Sequence, residues 1–198
     1  MPAYLDEEQL GSDDIIGFPH LLLCMGVVVV TPDGMHGMHF TNRGRTEAVV
    51  GYLAEYLRSN GVTGAEDMID LYGSGNFKIR YGGGGKNAWK EEMRLIAGAI
   101  GYQGKARGFD TSIIKPADGT YVEYHRDPLR NKIKIFYKRN EKMDFTRDGG
   151  LHPTMVNKGG LGPSRLAGTS SAAVKVTRSN KGQLHEVNYW LRLTDFTI

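Results

Sequence analysis

Cysteine is nearly absent from this sequence, because Cys24 is the only one among 198 residues. A single cysteine excludes an internal disulfide and a zinc site built from several thiolates. We therefore expect a protein that is made in a reducing cytoplasm and that needs no oxidation to fold.

Long apolar runs are also missing. The longest one, residues 21–30, is interrupted by Gly26 and is far shorter than the roughly 20 residues of a membrane-spanning helix. Residues 1–8 are acidic, whereas a secretory signal begins with basic residues followed by an apolar segment. We expect no membrane span and no such signal, and the sequence leaves localisation open, export by a specialised system included.

An excess of one charge is lacking too, since 25 Lys and Arg face 22 Asp and Glu for a net charge of +3. That balance gives no reason to expect a nucleic-acid partner. Glycine is abundant instead, with 27 residues, against roughly 14 at an average usage of about 7%. The length and a hydrophobic content of 40% predict one folded domain over residues 1–198 with many tight turns.

The residue pattern predicts two main helices, at 45–59 and at 88–100 with Asn87 as the cap. Residues 1–19 read as a polar lead-in, 82–85 as a flexible loop and 146–171 as a long loop. Strands are predicted at 21–31, 35–41, 68–72, 76–81, 102–107, 111–115, 120–125, 132–138, 172–178 and 184–193, the last two forming a closing hairpin. Because strands outnumber helices and hairpins are frequent, we expect an α+β layered sandwich of mostly antiparallel sheet.

A cysteine and a histidine stand on the two arms of the first predicted hairpin. If Thr31 pairs with Gly34 across a two-residue turn, Cys24 and His39 share a face as diagonal neighbours, roughly 7–8 Å apart. If Gly34 forms a bulge instead, Cys24 shares a face with His36, at a distance of about 20 Å along the strand. The plain turn therefore favours a Cys24–His39 pair.

Such a pair suits nucleophilic catalysis. An imidazole that takes the proton of a thiol, whose ordinary pKa is about 8.5, leaves a thiolate–imidazolium pair, and the thiolate is the nucleophile. The alternative is that Cys24 is a small buried hydrophobic residue in a valine-rich strand. Spacing alone leaves both interpretations open.

The same segment resembles a known family. The run from Cys24 to Val29, followed by Gly34, Gly37 and His39, is similar to the Cys–His hairpin of the CheD-type chemoreceptor glutamine deamidases. Cytotoxic necrotizing factor toxins and Burkholderia lethal factor share that hairpin. The resemblance covers a core at 17–140. Residues 141–198, a glycine-rich loop and the closing hairpin, have no counterpart in the short chemotaxis enzymes, which favours an effector or toxin relative.

The resemblance implies hydrolysis of a glutamine side-chain amide on a protein substrate with an exposed glutamine. Cys24 would form a thioester, and His39 would move the protons, without cofactor or metal. The family orients its histidine with an upstream hydroxyl or backbone carbonyl. Phe18 cannot do this through its side chain, so His20 is a candidate, and Leu22 and Leu23 replace the family's small residues before the cysteine.

With an amine in place of water, the same site would act as a transglutaminase. A different class of function stays open beside the enzyme: a non-catalytic protein-binding module that keeps the sandwich fold.

Two further patterns predict no site. A phosphate-binding loop would need glycine at position 80 and a hydroxyl at position 87, where the sequence has Arg80 and Asn87. The three histidines His125, His152 and His185 fall on separate elements without the spacing of metal ligands.

A basic stretch surrounds the strand predicted at 132–138. It has two interpretations: a solvated strand face with a lysine-protected edge, or a docking surface for an acidic partner protein. Its basic residues are Lys132, Lys134, Lys138, Arg139 and Lys142.

Overall fold

The computed structural model describes residues 3–114, 119–140, 143–147, 156–157, 174–178, 184–188 and 193–198. The helices are α1 (Thr46–Ser59), α2 (Phe77–Tyr81) and α3 (Gly85–Ile100), with 3-10 turns at Arg43–Arg45, Ala65–Asp67, Gly82–Gly84 and Thr111–Ile113. The strands are β1 (Ala3–Tyr4), β2 (Gln9–Asp13), β3 (Ile15–Leu21), β4 (Met25–Val30), β5 (Met35–Phe40), β6 (Asp70–Gly75), β7 (Lys105–Asp110), β8 (Thr120–Asp127), β9 (Lys132–Arg139), β10 (Met143–Arg147), β11 (Val156–Asn157), β12 (Val174–Arg178), β13 (His185–Glu186) and β14 (Leu193–Thr197).

The strands form two large sheets. The order in the seven-stranded sheet is β11-β2-β5-β4-β6-β7-β14, and in the five-stranded sheet it is β1-β3-β8-β9-β13. Strands β10 and β12 pair separately. Neighbours are antiparallel except β6 with β7 and β1 with β3. The predicted α+β sandwich of mostly antiparallel sheet is confirmed.

The molecule has three layers, with the seven-stranded sheet in the middle. Val27 and Val29 of β4 pack with apolar residues of α1 and α3 in one core cluster. Val28 and Val30 pack with residues of the five-stranded sheet in a second cluster. Because β4 is covered on both faces, it reads in the sequence as an unbroken valine run rather than as an alternation.

The first hairpin has the register of a plain two-residue turn. The backbone N–H of Thr31 donates to the carbonyl of Gly34 at 2.9 Å. Val30 then pairs with Met35, and Gly26 pairs with His39. The alternative with a bulge at Gly34 is therefore excluded.

Several sequence-based elements are wrong. Strands β1 to β3 lie within residues 3–21, where a polar lead-in over residues 1–19 was predicted. The strand predicted at 76–81 is replaced by α2 at residues 77–81, because the side chain of Asn76 accepts the N–H of Ile79 and caps the helix. The strand predicted at 111–115 is replaced by a 3-10 turn whose start is capped by Asp110.

The glycine-rich segment and the C-terminal strands also differ from the elements predicted from the sequence. Helix α3 already begins at Gly85, so Asn87 lies inside it and is not its cap, and residues 82–84 form a 3-10 turn. Strand β12 pairs with β10, β13 with β9 and β14 with β7, so the described residues do not form the predicted closing hairpin. Most of the predicted loop at 146–171 lies outside the described residues. Among those that are described, no helix is both long and apolar enough to cross a membrane.

Candidate functional site

Cys24 lies immediately before β4, at the end of the sandwich where β5 and β6 also terminate. Met25 pairs with Phe40 on one side and with Gly75 on the other. A Cβ at Gly75 would come within 2.9 Å of the Cys24 carbonyl oxygen, so the backbones approach closely here. Cys24 itself is only 5% exposed and packs in the core between the two sheets.

His39 faces the same side of the sheet as Cys24. It pairs with Gly26, two residues after the cysteine, and it is fully buried. Its Nδ1 donates to the backbone carbonyl of Leu5 at 2.8 Å. Since a carbonyl only accepts, the proton of the neutral ring sits on Nδ1 and the lone pair sits on Nε2. Within the described part of the chain, Nε2 has no hydrogen-bond partner.

An aromatic ring holds the imidazole from the side. The rings of Phe18 and His39 meet edge to face, with centroids 5.8 Å apart. A Cβ at Gly26 would lie 2.5 Å from Phe18 Cδ2, so the glycine makes the space that Phe18 occupies. Phe18 thus replaces a polar orienting group by packing, and the orienting hydrogen bond comes from Leu5.

The N-terminal segment contributes three groups that sequence reasoning missed. Besides the Leu5 carbonyl, the backbone N–H of Glu8 donates to the carbonyl of His39 at 2.7 Å. The Glu7 carboxylate accepts the thiol of Cys24 at a sulfur–oxygen distance of 3.5 Å. The only sequence signal is the spacing of Ala3 and Leu5, an alternation too short to indicate a strand.

The electrostatics favour neutral groups at rest. Burial, with the charge of Glu7 as the second cause, raises the pKa of the Cys24 thiol to about 12. Burial also lowers the pKa of His39, against the Leu5 hydrogen bond that raises it. The thiolate–imidazolium pair expected from the sequence is therefore not the resting state at neutral pH, because enclosure in the core disfavours both charges.

His20 does not hold the Nδ1 atom of His39, contrary to the orienting role considered for it. Its own Nδ1 accepts from the side chain of Asn140 at 2.9 Å, and the ring is exposed. Its φ angle is +60°, which turns the chain sharply before Leu22 and Leu23. Leu23, next to the thiol, is 52% exposed.

Three of the cavities on the described surface have volumes of about 420, 700 and 350 Å³, and neither Cys24 nor His39 lines any of these three. The largest lies beside β9, where Lys132 and Lys134 share its wall with Asp70 and Glu186. Lys134 pairs with Glu186 at 3.3 Å. This wall carries charges of both signs, so it gives the acidic-partner interpretation no particular support.

The remaining histidines lie apart. His125 hydrogen-bonds to the buried Glu123, and the ring of His185 lies tilted to that of Tyr137 with centroids 5.4 Å apart. His152 is outside the described residues. In the ranges given above for the structure, no group of three or more metal-ligating side chains comes together.

Comparison of the sequence with models of protein families finds no match, and comparison with curated proteins finds none. The interpretation of the site therefore rests on its geometry.

Proposed function

We propose that this protein is a cysteine-dependent protein glutamine deamidase. One observation carries the proposal: His39 lies on the face of Cys24 with Nδ1 committed to the Leu5 carbonyl and with the lone pair of a buried Nε2 unpartnered among the described residues. A general base for a thiol needs this polarity, one nitrogen held and the other available.

The reaction starts from a neutral thiol and a neutral imidazole. His39 Nε2 takes the proton of Cys24 as the sulfur bonds to the carboxamide carbon of a substrate glutamine. The imidazolium then protonates the amide nitrogen, and the carbon–nitrogen bond breaks. Ammonia departs, and the substrate remains bound to Cys24 as a thioester. Water attacks the thioester carbonyl while Nε2 accepts a proton, and loss of the thiol yields glutamate. The Leu5 carbonyl stabilises the imidazolium in each half-reaction.

Glu7 determines when the thiol becomes available. In the resting state the thiol donates to the Glu7 carboxylate, so attack requires the sulfur to turn from Glu7 toward His39. Glu7 is exposed, so an arriving substrate can displace it. We propose that substrate binding makes this exchange, since catalytic hydrogen bonds often tighten only in the substrate complex.

The direct test uses a glutamine-rich unfolded protein, β-casein, in heavy-oxygen water. Peptide mass spectrometry then counts glutamates that carry the heavy isotope. We expect incorporation with the native protein and none with Cys24→Ala or His39→Gln. Equal incorporation with Cys24→Ala would contradict the proposal.

A non-catalytic binding module is the second candidate, and the enclosure of the thiol favours it. Cys24 is 5% exposed, and it lines none of the three cavities described above. Two results together would support this candidate over the enzyme. The native protein would leave casein unchanged, and Cys24 would resist alkylation in the folded protein even when Glu7 is neutralised.

A further inference from the structure

A buried arginine lies behind the Cys24–His39 pair. The Arg80 guanidinium, on α2, donates through Nε and Nη2 to the two carboxylate oxygens of Glu92 on α3, at 2.9 and 2.6 Å. Neither side chain is more than 2% exposed. This bidentate arrangement fixes the plane and the position of the guanidinium.

The third nitrogen of the same guanidinium binds the backbone on both sides of the site. Nη1 donates to the carbonyl of Leu23 at 2.6 Å and to the carbonyl of Thr41. Leu23 immediately precedes Cys24, and Thr41 follows His39 by two residues. One donor group therefore ties together the chain before the thiol and the chain after the imidazole.

The helical layer anchors this contact. The Glu92 carboxylate also accepts from Thr46 at the start of α1, and from the Tyr81 hydroxyl on α2 at 2.5 Å. The guanidinium is thus held by groups on all three helices. A lysine could not reproduce it, because an ammonium group has no planar fork to engage a carboxylate and a carbonyl pair at once.

We propose that Arg80 is a positioning residue for the Cys24–His39 pair, which it serves by tying the backbone at Leu23 to that at Thr41 and by placing a buried positive charge behind the thiol. This inference rests on the proposed function for its role in turnover, whereas its effect on the thiol does not. The charge of Arg80 acts to lower the pKa of Cys24, opposite to burial and Glu7.

A purely structural role is the competing explanation, because a buried ion pair often only completes the fold. The chain offers a matched control at the far end of the same hairpin. Arg126 is also buried, binds Asp14 at 2.9 Å and donates to the backbone carbonyl of Pro32. Both arginines hold the hairpin backbone, but only Arg80 lies by the thiol.

The experiment measures the rate at which iodoacetamide alkylates Cys24 in the folded protein at a fixed pH of about 9, beside the melting temperature. Well below the thiol pKa, that rate follows the thiolate fraction, so each pKa unit changes it about tenfold. We expect Arg80→Gln to lower the rate several-fold, whereas Arg126→Gln leaves it unchanged or raises it by loosening the fold. A rate that stays or rises in Arg80→Gln overturns the proposal.

If Arg80→Gln does not fold, Arg80→Lys decides on the same assay. It keeps the charge but loses the fork, so we expect the alkylation rate to shift clearly from that of the native protein, while Arg126→Lys stays close to it. Equal behaviour of the two lysine variants overturns the proposal.

The turnover arm separates this inference from the proposed function. In the casein assay we expect Arg80→Lys to lower kcat with KM nearly unchanged. No turnover in the native protein, with the alkylation difference intact, would reject the deamidase and keep the placement of the thiol by Arg80. Turnover by the native protein without an alkylation difference between the Arg80 and Arg126 variants would keep the deamidase and reject the role of Arg80.

Discussion

The reactivity of Cys24 toward alkylating reagents tests whether the buried thiol is neutral at rest. Its pKa rises from 9.0 to about 12, and three pKa units correspond to about a thousandfold lower thiolate fraction at any pH well below 9. Since the thiolate is the species that reacts, we expect native Cys24 to react with iodoacetamide at pH 8 about a thousandfold more slowly than an unfolded cysteine peptide. The low exposure of Cys24, 5%, adds steric protection in the same direction.

The assay is a quenched time course of iodoacetamide labelling, read by mass spectrometry, with the same chain unfolded in urea as the reference. One variant isolates the contribution of the Glu7 charge to the thiol pKa. Glu7→Gln removes the charge beside the sulfur and leaves burial in place, so we expect labelling faster than in the native protein but still slower than in urea. The matched control is Glu47→Gln, an exposed carboxylate on α1.

Two results would refute this reasoning. Native labelling that reaches a plateau with an apparent pKa below 8 would show a resting thiolate, which contradicts the enclosure of the sulfur. No acceleration in Glu7→Gln would show that the carboxylate does not govern the thiol.

Two further predictions concern stability. Burial lowers the pKa of His36 from 6.5 to about 4; the folded state therefore keeps the ring neutral while the unfolded state gains a proton, so stability is present above pH 6.5 and is lost as the pH falls toward 4. The loss in the free energy of unfolding is about 3 kcal/mol, at 1.36 kcal/mol per pKa unit. Urea titrations between pH 6.5 and 4 should show a smaller loss of stability in His36→Gln than in the native protein. An equal loss in both proteins would contradict this prediction. Gly26→Ala should cost about 1–3 kcal/mol in urea unfolding, because the new Cβ meets Phe18 at 2.5 Å. Gly34→Ala, which meets nothing within 4 Å, is its control, and equal losses in the two variants would reject the steric argument.

The hairpin was the part of the fold that the sequence could predict well. Its turn is specified locally, because Pro32 fixes φ at the first corner and Thr31 binds Gly34 through both backbone and side chain. A valine run covered on both faces fits only a central strand, so register and face followed from the turn. That was enough to place Cys24 and His39 on one side.

The groups that complete the site could not be predicted, because they come from distant chain. Leu5 reaches His39 through a strand of two residues, Ala3–Tyr4, which leaves no periodic pattern. Phe77, Ile79 and Tyr81 alternate with polar residues as a strand would. The segment is a helix instead, and at its start the side chains of Asn76 and Asp110 accept the backbone N–H groups of Ile79 and Phe77. The pKa of the thiol depends first on burial and then on Glu7, and both come from tertiary structure.

The contacts of residues 5–7 with His39 and Cys24 have a practical consequence for experiments on this protein. Leu5 orients His39 and Glu7 holds the thiol, so residues 5–7 belong to the candidate site as much as the hairpin does. A substitution or a deletion within residues 5–7 would alter both contacts while leaving the cysteine and the histidine in place. Any assay of Cys24 therefore needs material in which residues 5–7 are intact.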